Sequence, residues 1–280
     1  MIALALVACA APSPEVLLEP DAARTGADGT DGPLGAESVE FRVQARVTER
    51  VRVEAVVPLA DDAAPAPTVV FVQGGLVDAA RYRWLAIHLA SRGYAVLMPD
   101  YALDLAIQQS GNADAAWVGA TTNPPTSLVG AFDPERRVGG GHSLGGVVAA
   151  MNWTQDDGWD GLFLAASFPA EGTAVEDDPR PVLSLIGSDD GSADGGATQA
   201  GAERFAGPVF FGVVDGMNHY GWTDDATEKE LAKDGTATRP VDEARRDALR
   251  VFDTWLDATL RDDPTALEAL DGAFPNVERP

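Results

Sequence analysis

Cysteine and histidine are scarce in this sequence of 280 residues, which contains one cysteine, Cys9, and three histidines. A single cysteine cannot form a disulfide within the chain, so a hydrophobic core has to stabilise the fold. The paired His/Cys spacings of zinc sites are missing, and so are the glycine patterns of phosphate loops and dinucleotide-binding folds. We therefore expect neither a metal site nor a cofactor.

Positive charge is also scarce. The chain carries 20 basic against 44 acidic residues, which gives a formal net charge of -24 at pH 7, and nearly all of the basic residues are arginine. A surface this acidic repels phosphate backbones and anionic lipid headgroups. We therefore expect no nucleic-acid partner.

Long hydrophobic runs are absent, and no segment of the sequence is long enough to cross a bilayer. The first residues are nevertheless apolar, and Leu6-Val7-Ala8-Cys9 has the small-residue spacing of a bacterial lipobox. This pattern resembles lipoprotein signal peptides and predicts a signal segment over 1–8, with Cys9 as the site of lipid attachment.

No Lys or Arg precedes that apolar run, as a signal peptide requires, and a start codon placed too far downstream would explain the defect. A chance cysteine in a plain secretory leader is the alternative interpretation. The expected localisation is that of an exported, lipid-anchored protein of the bacterial cell envelope, held to the membrane through Cys9. A secreted protein is the alternative.

Composition divides the rest of the chain into three parts. Residues 9–37 are rich in Ala, Gly, Pro, Asp and Thr and contain too few large apolar side chains to pack, which predicts a flexible tether. Residues 38–262 have the size of one ordinary domain. Residues 263–280 are interpreted as a C-terminal tail.

Strands and helices alternate along this domain. A hairpin of alternating polar and apolar residues comes first, over 38–47 and 51–57. The predicted strands that follow are 68–72, 94–98, a short run before residue 142, 161–167, 182–186 and 209–214, and the main helices are 79–92, 147–153 and 241–260. Strand–helix–strand units imply parallel pairing. The prediction is an α/β fold with a mostly parallel eight-stranded sheet flanked by helices.

The segment Gly141-His142-Ser143-Leu144-Gly145 contains the pattern G-x-S-x-G between a strand and a helix. In this position the pattern is typical of a nucleophile elbow, where a sharp turn presents the serine hydroxyl at the edge of the sheet. An ordinary Gly/Ser turn is the alternative. The flanking strand and helix favour Ser143 as a nucleophile.

A serine nucleophile needs a base, and the three histidines differ in position. His142 lies within the elbow and points away from the reaction, whereas His88 falls in a helix on or near its apolar face, where packing is the simpler interpretation. His219 follows the last predicted strand, in a loop at the carboxyl end of the sheet. We therefore expect His219 to be the base.

The base needs an orienting carboxylate, which should come from the loop after the preceding strand. This loop contains both Asp189 and Asp190, and Asp194 lies further away. We favour Asp190, because the loop has to rise above the sheet to reach a histidine and the flexible Gly191 follows it. Asp189 remains the alternative.

The order Ser143, Asp190, His219 along the chain is that of an α/β-hydrolase triad. Residues 67–260 resemble the α/β-hydrolase fold, in particular its esterase and dienelactone-hydrolase-like branch, and are more loosely similar to chlorophyllase and cutinase-type polyester hydrolases. The matching segments are Gln73-Gly74-Gly75, Gly140-Gly141-His142-Ser143-Leu144-Gly145-Gly146, Phe168-Pro169-Ala170, Gly187-Ser188-Asp189-Asp190-Gly191 and Gly216-Met217-Asn218-His219. The resemblance implies that Ser143, Asp190 and His219 are nucleophile, acid and base.

An oxyanion hole is expected from the backbone N–H groups of Leu144 and Gly75, with Leu76 as the alternative to Gly75. Many relatives have His-Gly in this loop, where this chain has Gln73-Gly74. The expected activity is hydrolysis of small or polymeric carboxylic esters through an acyl-enzyme. Acyl transfer, or hydrolysis of lactones or polyesters on the same triad, is the alternative, and a non-catalytic binding protein is a third interpretation.

The surroundings of the site suggest an open cleft. Only about fourteen residues separate Ser167 from Val182, where the fold usually carries its cap, so no cap domain is expected. Candidate substrate-binding residues lie near the predicted motifs or in the long 99–136 connection, with ordinary packing as the alternative for each aromatic. They are Leu76, His142, Trp117, Tyr220 and Trp222.

Overall fold

A computed structural model describes residues 15–18, 32–46, 49–59, 64–101 and 110–280. The predicted signal segment, Cys9 and most of the predicted tether lie outside the described residues. None of the described helices is both long and apolar enough to cross a membrane.

The described strands form one ten-stranded sheet, with the order β1-β2-β3-β5-β4-β6-β7-β8-β9-β10. The strands are β1 Glu15–Leu18, β2 Gly35–Arg46, β3 Glu49–Leu59, β4 Ala66–Val72, β5 Ala95–Pro99, β6 Phe132–His142, β7 Gly161–Ala165, β8 Val182–Gly187, β9 Val209–Val214 and β10 Val277–Glu278. The six strands from β5 to β9 in this order pair in parallel. The strands at both edges pair antiparallel, among them the predicted hairpin, now β2 and β3.

The predicted α/β class, parallel sheet and flanking helices are confirmed, but the count of eight strands is wrong for the described residues. The additional strands are β1, which lies inside the predicted tether, and β10, which lies inside the predicted tail. Each pairs antiparallel with an edge strand. An edge strand leaves a row of backbone groups unpaired, so even a very short segment can add to it without a hydrophobic pattern of its own.

Seven α-helices flank the sheet in the part of the chain that the structure describes, and four of them were not predicted from the sequence. The helices are α1 Arg83–Ser91, α2 Asn112–Thr122, α3 Leu144–Trp153, α4 Gly195–Ala202, α5 Glu228–Leu231, α6 Val241–Leu260 and α7 Pro264–Leu270. Helix α7 lies within the predicted C-terminal tail over 263–280. Asp263 caps it by accepting from the Thr265 and Ala266 amides, and Pro264 occupies its first turn. Helix α2 gives structure to the long 99–136 connection.

The central strands are buried on both faces. Alternate residues of β4 contribute to two hydrophobic cores: Val69 and Phe71 pack with α1 and α6, whereas Val70 and Val72 pack with α2 and α3. Burial on both faces explains the continuous apolar runs that marked these strands in the sequence.

Several loops meet at the carboxyl edge of the parallel strands. They follow β4, β6, β8 and β9, and they contain the glycine segment at 73–76, Ser143, the Asp189 and Asp190 pair, and His219. The segment 166–181 between β7 and β8 contains no helix, in agreement with the expectation of no cap domain. The fold thus brings the glycine loop, Ser143, Asp190 and His219 to one open edge.

Candidate active site

Ser143 occupies a strained turn between β6 and α3. Its φ of 52° and ψ of −124° are unusual for a residue with a side chain. A Cβ added at Gly145 would overlap the carbonyl oxygens of Val72 and Gln73, and one added at Gly141 would overlap the Gly145 backbone. The glycines of G-x-S-x-G are therefore needed for close passage of the backbone, and the turn has the geometry of a nucleophile elbow.

Two hydrogen bonds hold the elbow in place. The Ser143 amide donates to the Ala165 carbonyl at 2.9 Å, and the Ser167 hydroxyl donates to the Ser143 carbonyl at 2.7 Å. Both partners lie at the end of the neighbouring strand β7 or just after it. The strained conformation is thus fixed by surrounding structure, as such strain requires.

Asp190 and His219 contact each other directly. The His219 Nδ1 lies 2.9 Å from Asp190 Oδ2, and the side chains are only 6% and 1% exposed. The other carboxylate oxygen accepts from the Ser192 and Ala193 amides at 2.9 and 2.7 Å. With the carboxylate as acceptor, the His219 proton lies on Nδ1, which leaves Nε2 free to accept a proton.

The alternative carboxylate, Asp189, has a different partner. Its Oδ2 accepts from the amide and the hydroxyl of Thr238, at 2.7 and 2.6 Å. The more distant Asp194 caps α4 by accepting from the Ala197 amide at 2.7 Å. Of the three carboxylates weighed from the sequence, Asp190 is the one that contacts His219.

His219 lies beside the elbow. Its ring centroid is 4.5 Å from that of His142, the residue before Ser143. The hydrogen bonds among the described residues do not include one between Ser143 Oγ and His219. Such bonds are often long in free enzymes and shorten only when substrate is bound.

The glycine loop after β4 packs against the start of α3. The Gly74 amide donates to the Tyr82 hydroxyl at 2.9 Å, whereas the Gly75 and Leu144 amides donate to no other described residue. A Cβ at Gly75 would lie 3.0 Å from the Leu144 side chain, so the two residues are immediate neighbours. Two unpaired N–H groups next to a nucleophile, one at a helix N-terminus, can stabilise an oxyanion.

Three of the five predicted substrate contacts are corrected. His142 is 1% exposed, and its ring packs against those of Tyr82 and His219 instead of facing solvent. Burial lowers the pKa of His142 well below its usual value, and the nearby His219 lowers it further. Trp222 is buried in the core against Phe163.

Trp117, the third correction, lies far from the site. It is buried on α2, with the Arg137 guanidinium 4.8 Å from its ring. Arg137 lies five residues before His142 on β6, which places it about 17 Å from the elbow at the usual rise of a strand. Helix α2 covers one face of the sheet and so directs its aromatic residue into the core.

The other two candidates remain at the edge of the site. Tyr220 is partly buried, with its ring 5.5 Å from that of His219. Leu76 follows the glycine loop with a φ of 62° and a side chain that is 70% exposed. An exposed leucine in a left-handed conformation is uncommon, and here it adds apolar surface beside the Gly75 amide.

Asp234 joins the two loops that carry Asp190 and His219, and no motif indicates it. Its Oδ1 accepts from the Gly191 amide at 2.8 Å, and its Oδ2 accepts from the Tyr220 amide at 2.9 Å. These amides belong to the residues directly after Asp190 and His219. The contact joins residues 43 positions apart along the chain, so a local sequence pattern could not reveal it.

The described residues contain no cluster of three or more potential metal ligands. The chain has no match among the curated proteins compared with it. A family model described as the alpha/beta hydrolase family matches residues 68–241, from β4 through the elbow and the Asp190 and His219 loops to the first residue of α6. Since this match spans more than half of the sequence, the chain belongs to the alpha/beta hydrolase family.

Proposed function

We propose that this chain is a serine hydrolase that cleaves carboxylic esters through an acyl-enzyme. The observation that supports the proposal best is the buried Asp190–His219 hydrogen bond of 2.9 Å beside an elbow that holds Ser143 at a φ of 52°. Family membership supports a hydrolase, and the choice of an ester substrate and of this triad is part of the proposal.

In the first half of the reaction, Ser143 Oγ attacks the ester carbonyl and His219 Nε2 takes the hydroxyl proton. His219 then donates this proton to the alcohol oxygen as the C–O bond breaks, which leaves an ester between Ser143 and the acyl group. Asp190 holds the imidazole through Nδ1 and stabilises its positive charge. The Ser192 and Ala193 amides hold the Asp190 carboxylate in place, so the carboxylate does not need to move during the reaction.

In the second half, water attacks the acyl-enzyme. His219 Nε2 takes a proton from the water and returns it to Ser143 Oγ as the carboxylic acid leaves. The negative charge on the carbonyl oxygen develops in both halves next to the Gly75 and Leu144 amides. Removing one such donor typically costs about 100- to 1000-fold in rate.

The rim of the site favours an ester with an apolar group. Leu76 and Phe168 are large, exposed hydrophobic residues. Leu76 follows Gly75, which lies against Leu144 at the start of α3, and Phe168 follows Ser167, which donates to the Ser143 carbonyl. Between β7 and β8 the described chain provides no helical cover. An open apolar rim suits short-chain, aryl or polymeric esters better than a lipid enclosed in a tunnel.

The test is hydrolysis of p-nitrophenyl acetate and butyrate, together with longer acyl chains and a polyester film. Ser143→Ala should abolish turnover, and a serine-directed phosphonate should add to the Ser143 peptide as read by mass spectrometry. Ser184→Ala is the matched control, because Ser184 is a buried serine on β8 outside the site. Unchanged hydrolysis in Ser143→Ala, or an inactive wild-type protein over the whole panel, would contradict the proposal.

A further inference from the structure

The Tyr82 hydroxyl lies between two parts of the site. Tyr82 ends the 3-10 turn that follows the glycine loop, and only 1% of its surface is exposed. Its oxygen accepts from the Gly74 amide at 2.9 Å and lies 2.9 Å from His142 Nδ1. One buried hydroxyl therefore contacts both the loop that carries the Gly75 amide and the residue before Ser143.

The protons of this group can be assigned from its partners. Gly74 supplies an N–H, so the Tyr82 oxygen accepts there, and the phenol still has one proton to donate. Within the described chain, the acceptor in reach of that proton is His142 Nδ1. If Nδ1 accepts, the neutral imidazole of His142 carries its own proton on Nε2.

His142 in turn supports the ring of His219. The two ring centroids are 4.5 Å apart, and the Tyr82 ring centroid lies 5.8 Å from that of His142. Burial and the nearby His219 both lower the pKa of His142 and so keep it uncharged, while the His219 backbone acts in the opposite direction. A neutral ring is required here, because His219 becomes positively charged during the proposed reaction.

We propose that Tyr82 is a positioning residue: through its hydroxyl it holds the Gly74 amide, and with it the oxyanion loop, and it fixes His142 in the Nε2–H tautomer against which the His219 ring packs. The inference rests on the proposed serine hydrolase function for its effect on rate. Its assignment of the tautomer is independent of that function.

Gly74, the Tyr82 hydroxyl and His142 are tightly packed against one another. A Cβ added at Gly74 would lie 2.9 Å from the Tyr82 oxygen and 3.0 Å from His142 Nδ1. Removing the hydroxyl takes a partner from two buried groups at once, the Gly74 amide and His142 Nδ1. The loop and the ring should then shift to find other partners.

Enzyme activity tests whether the Tyr82 hydroxyl positions the oxyanion loop. In Tyr82→Phe, kcat should fall by about 10- to 100-fold with little change in KM, because small displacements of catalytic groups cost up to about 100-fold in rate. Tyr101→Phe is the matched control, since Tyr101 is also a buried tyrosine and its hydroxyl has no hydrogen-bond partner in the described chain. Full activity in Tyr82→Phe, or an equal loss in Tyr101→Phe, would overturn it.

Imidazole 15N chemical shifts test the tautomer assigned to His142. With three histidines in the chain, His88→Gln and His219→Gln variants assign the signals. Wild-type His142 should show a protonated Nε2 and a bare Nδ1, and Tyr82→Phe should show a mixture of tautomers. A proton on Nδ1 in the wild type would overturn the assignment.

The two measurements also separate this inference from the proposed function. A wild-type protein that is inactive on every ester but shows the Nε2–H tautomer contradicts the function and leaves the tautomer assignment standing. If Tyr82→Phe does not fold, Gly74→Ala displaces the same amide from the hydroxyl and should lower kcat by a similar factor. Full activity in that variant would also overturn the inference.

Discussion

Two buried histidine–aspartate pairs occur in this protein, and their local geometry is nearly the same. His219 Nδ1 lies 2.9 Å from Asp190, and His88 Nε2 lies 3.0 Å from both oxygens of Asp253. The side chains are 6% and 1% exposed in the first pair and 3% and 7% in the second. Distance and burial therefore do not distinguish the proposed base, His219, from a histidine that only joins two helices.

The surroundings of the two pairs differ. His88 is on α1 and Asp253 is on α6, the two helices that cover one face of the sheet, and Arg92 contacts the same carboxylate at 3.1 Å. That pair joins two helices, whereas the other joins two loops beside Ser143. A histidine and an aspartate support catalysis only where the fold also places a nucleophile within reach.

Exchanging each carboxylate for an amide gives the largest expected contrast. Asp190→Asn should lower kcat/KM by about 10,000-fold, because the amide favours the wrong tautomer of its histidine. Asp253→Asn should leave ester hydrolysis unchanged and lower only the melting temperature. Both are measured with p-nitrophenyl butyrate, and Asp189→Asn serves as a further control from the same loop as Asp190. Equal losses in the two amide variants would remove the distinction between the pairs.

His88→Ala should reveal the structural role of the second pair. It removes a partner of the buried Asp253 carboxylate and leaves a cavity between α1 and α6, so we expect a loss of about 2–4 kcal/mol in the free energy of unfolding. Urea unfolding measures this loss. The folded fraction should keep its kcat, and a fall in kcat without loss of stability would instead place His88 in the reaction.

Asp234→Ala should weaken the Asp190–His219 pair without changing either residue. The Gly191 and Tyr220 amides lose their shared acceptor, and the loops after Asp190 and His219 become free to separate. We expect kcat to fall by about 10- to 100-fold, as for other small displacements of catalytic groups. Asp177→Ala is the control for loss of one negative charge, because Asp177 is exposed. Equal kinetics in the two variants would show that the Asp234 contact is not needed.

Much of this arrangement could be predicted from short patterns. The elbow and the helix over 241–260 each depend on residues close together in the chain, and α6 has the predicted bounds. Ser143, Asp190 and His219 lie far apart in the chain, but each occurs in a short local motif. The aromatic contacts could not be predicted in this way. Trp117 and Trp222 were expected at the cleft because of their neighbours in sequence, yet the faces of α2 and of the turn after β9 direct them into the core.

Short sequence patterns also could not predict the roles of Tyr82 and Asp234. Tyr82 lies 60 residues from His142, and Asp234 lies 43 residues from Gly191. Tyr82 accepts from the Gly74 amide and Asp234 accepts from the Gly191 and Tyr220 amides, and a backbone amide leaves no trace in residue type. Only the three-dimensional fold shows that these side chains belong to the site.

His142 gives the smallest predicted effect, and it concerns stability as a function of pH. Burial holds the pKa of the folded-state ring well below 6.5, whereas the unfolded chain binds a proton at its usual value. The unfolded state therefore gains protons first as the pH falls below 6.5, and the stability present above that pH is lost.

The loss from this one group should reach about 1.4 kcal/mol between pH 7.5 and pH 5.5, the limit for a single proton bound only by the unfolded state. Urea unfolding of the wild type and of His142→Gln at both pH values measures it. The carboxylates titrate in both proteins, so their contribution cancels when the two are compared. The difference between the unfolding free energies of the wild type and His142→Gln should therefore change by the expected loss between the two pH values. A difference that does not change with pH would mean that the folded protein also binds this proton, and that a charged ring can pack against His219.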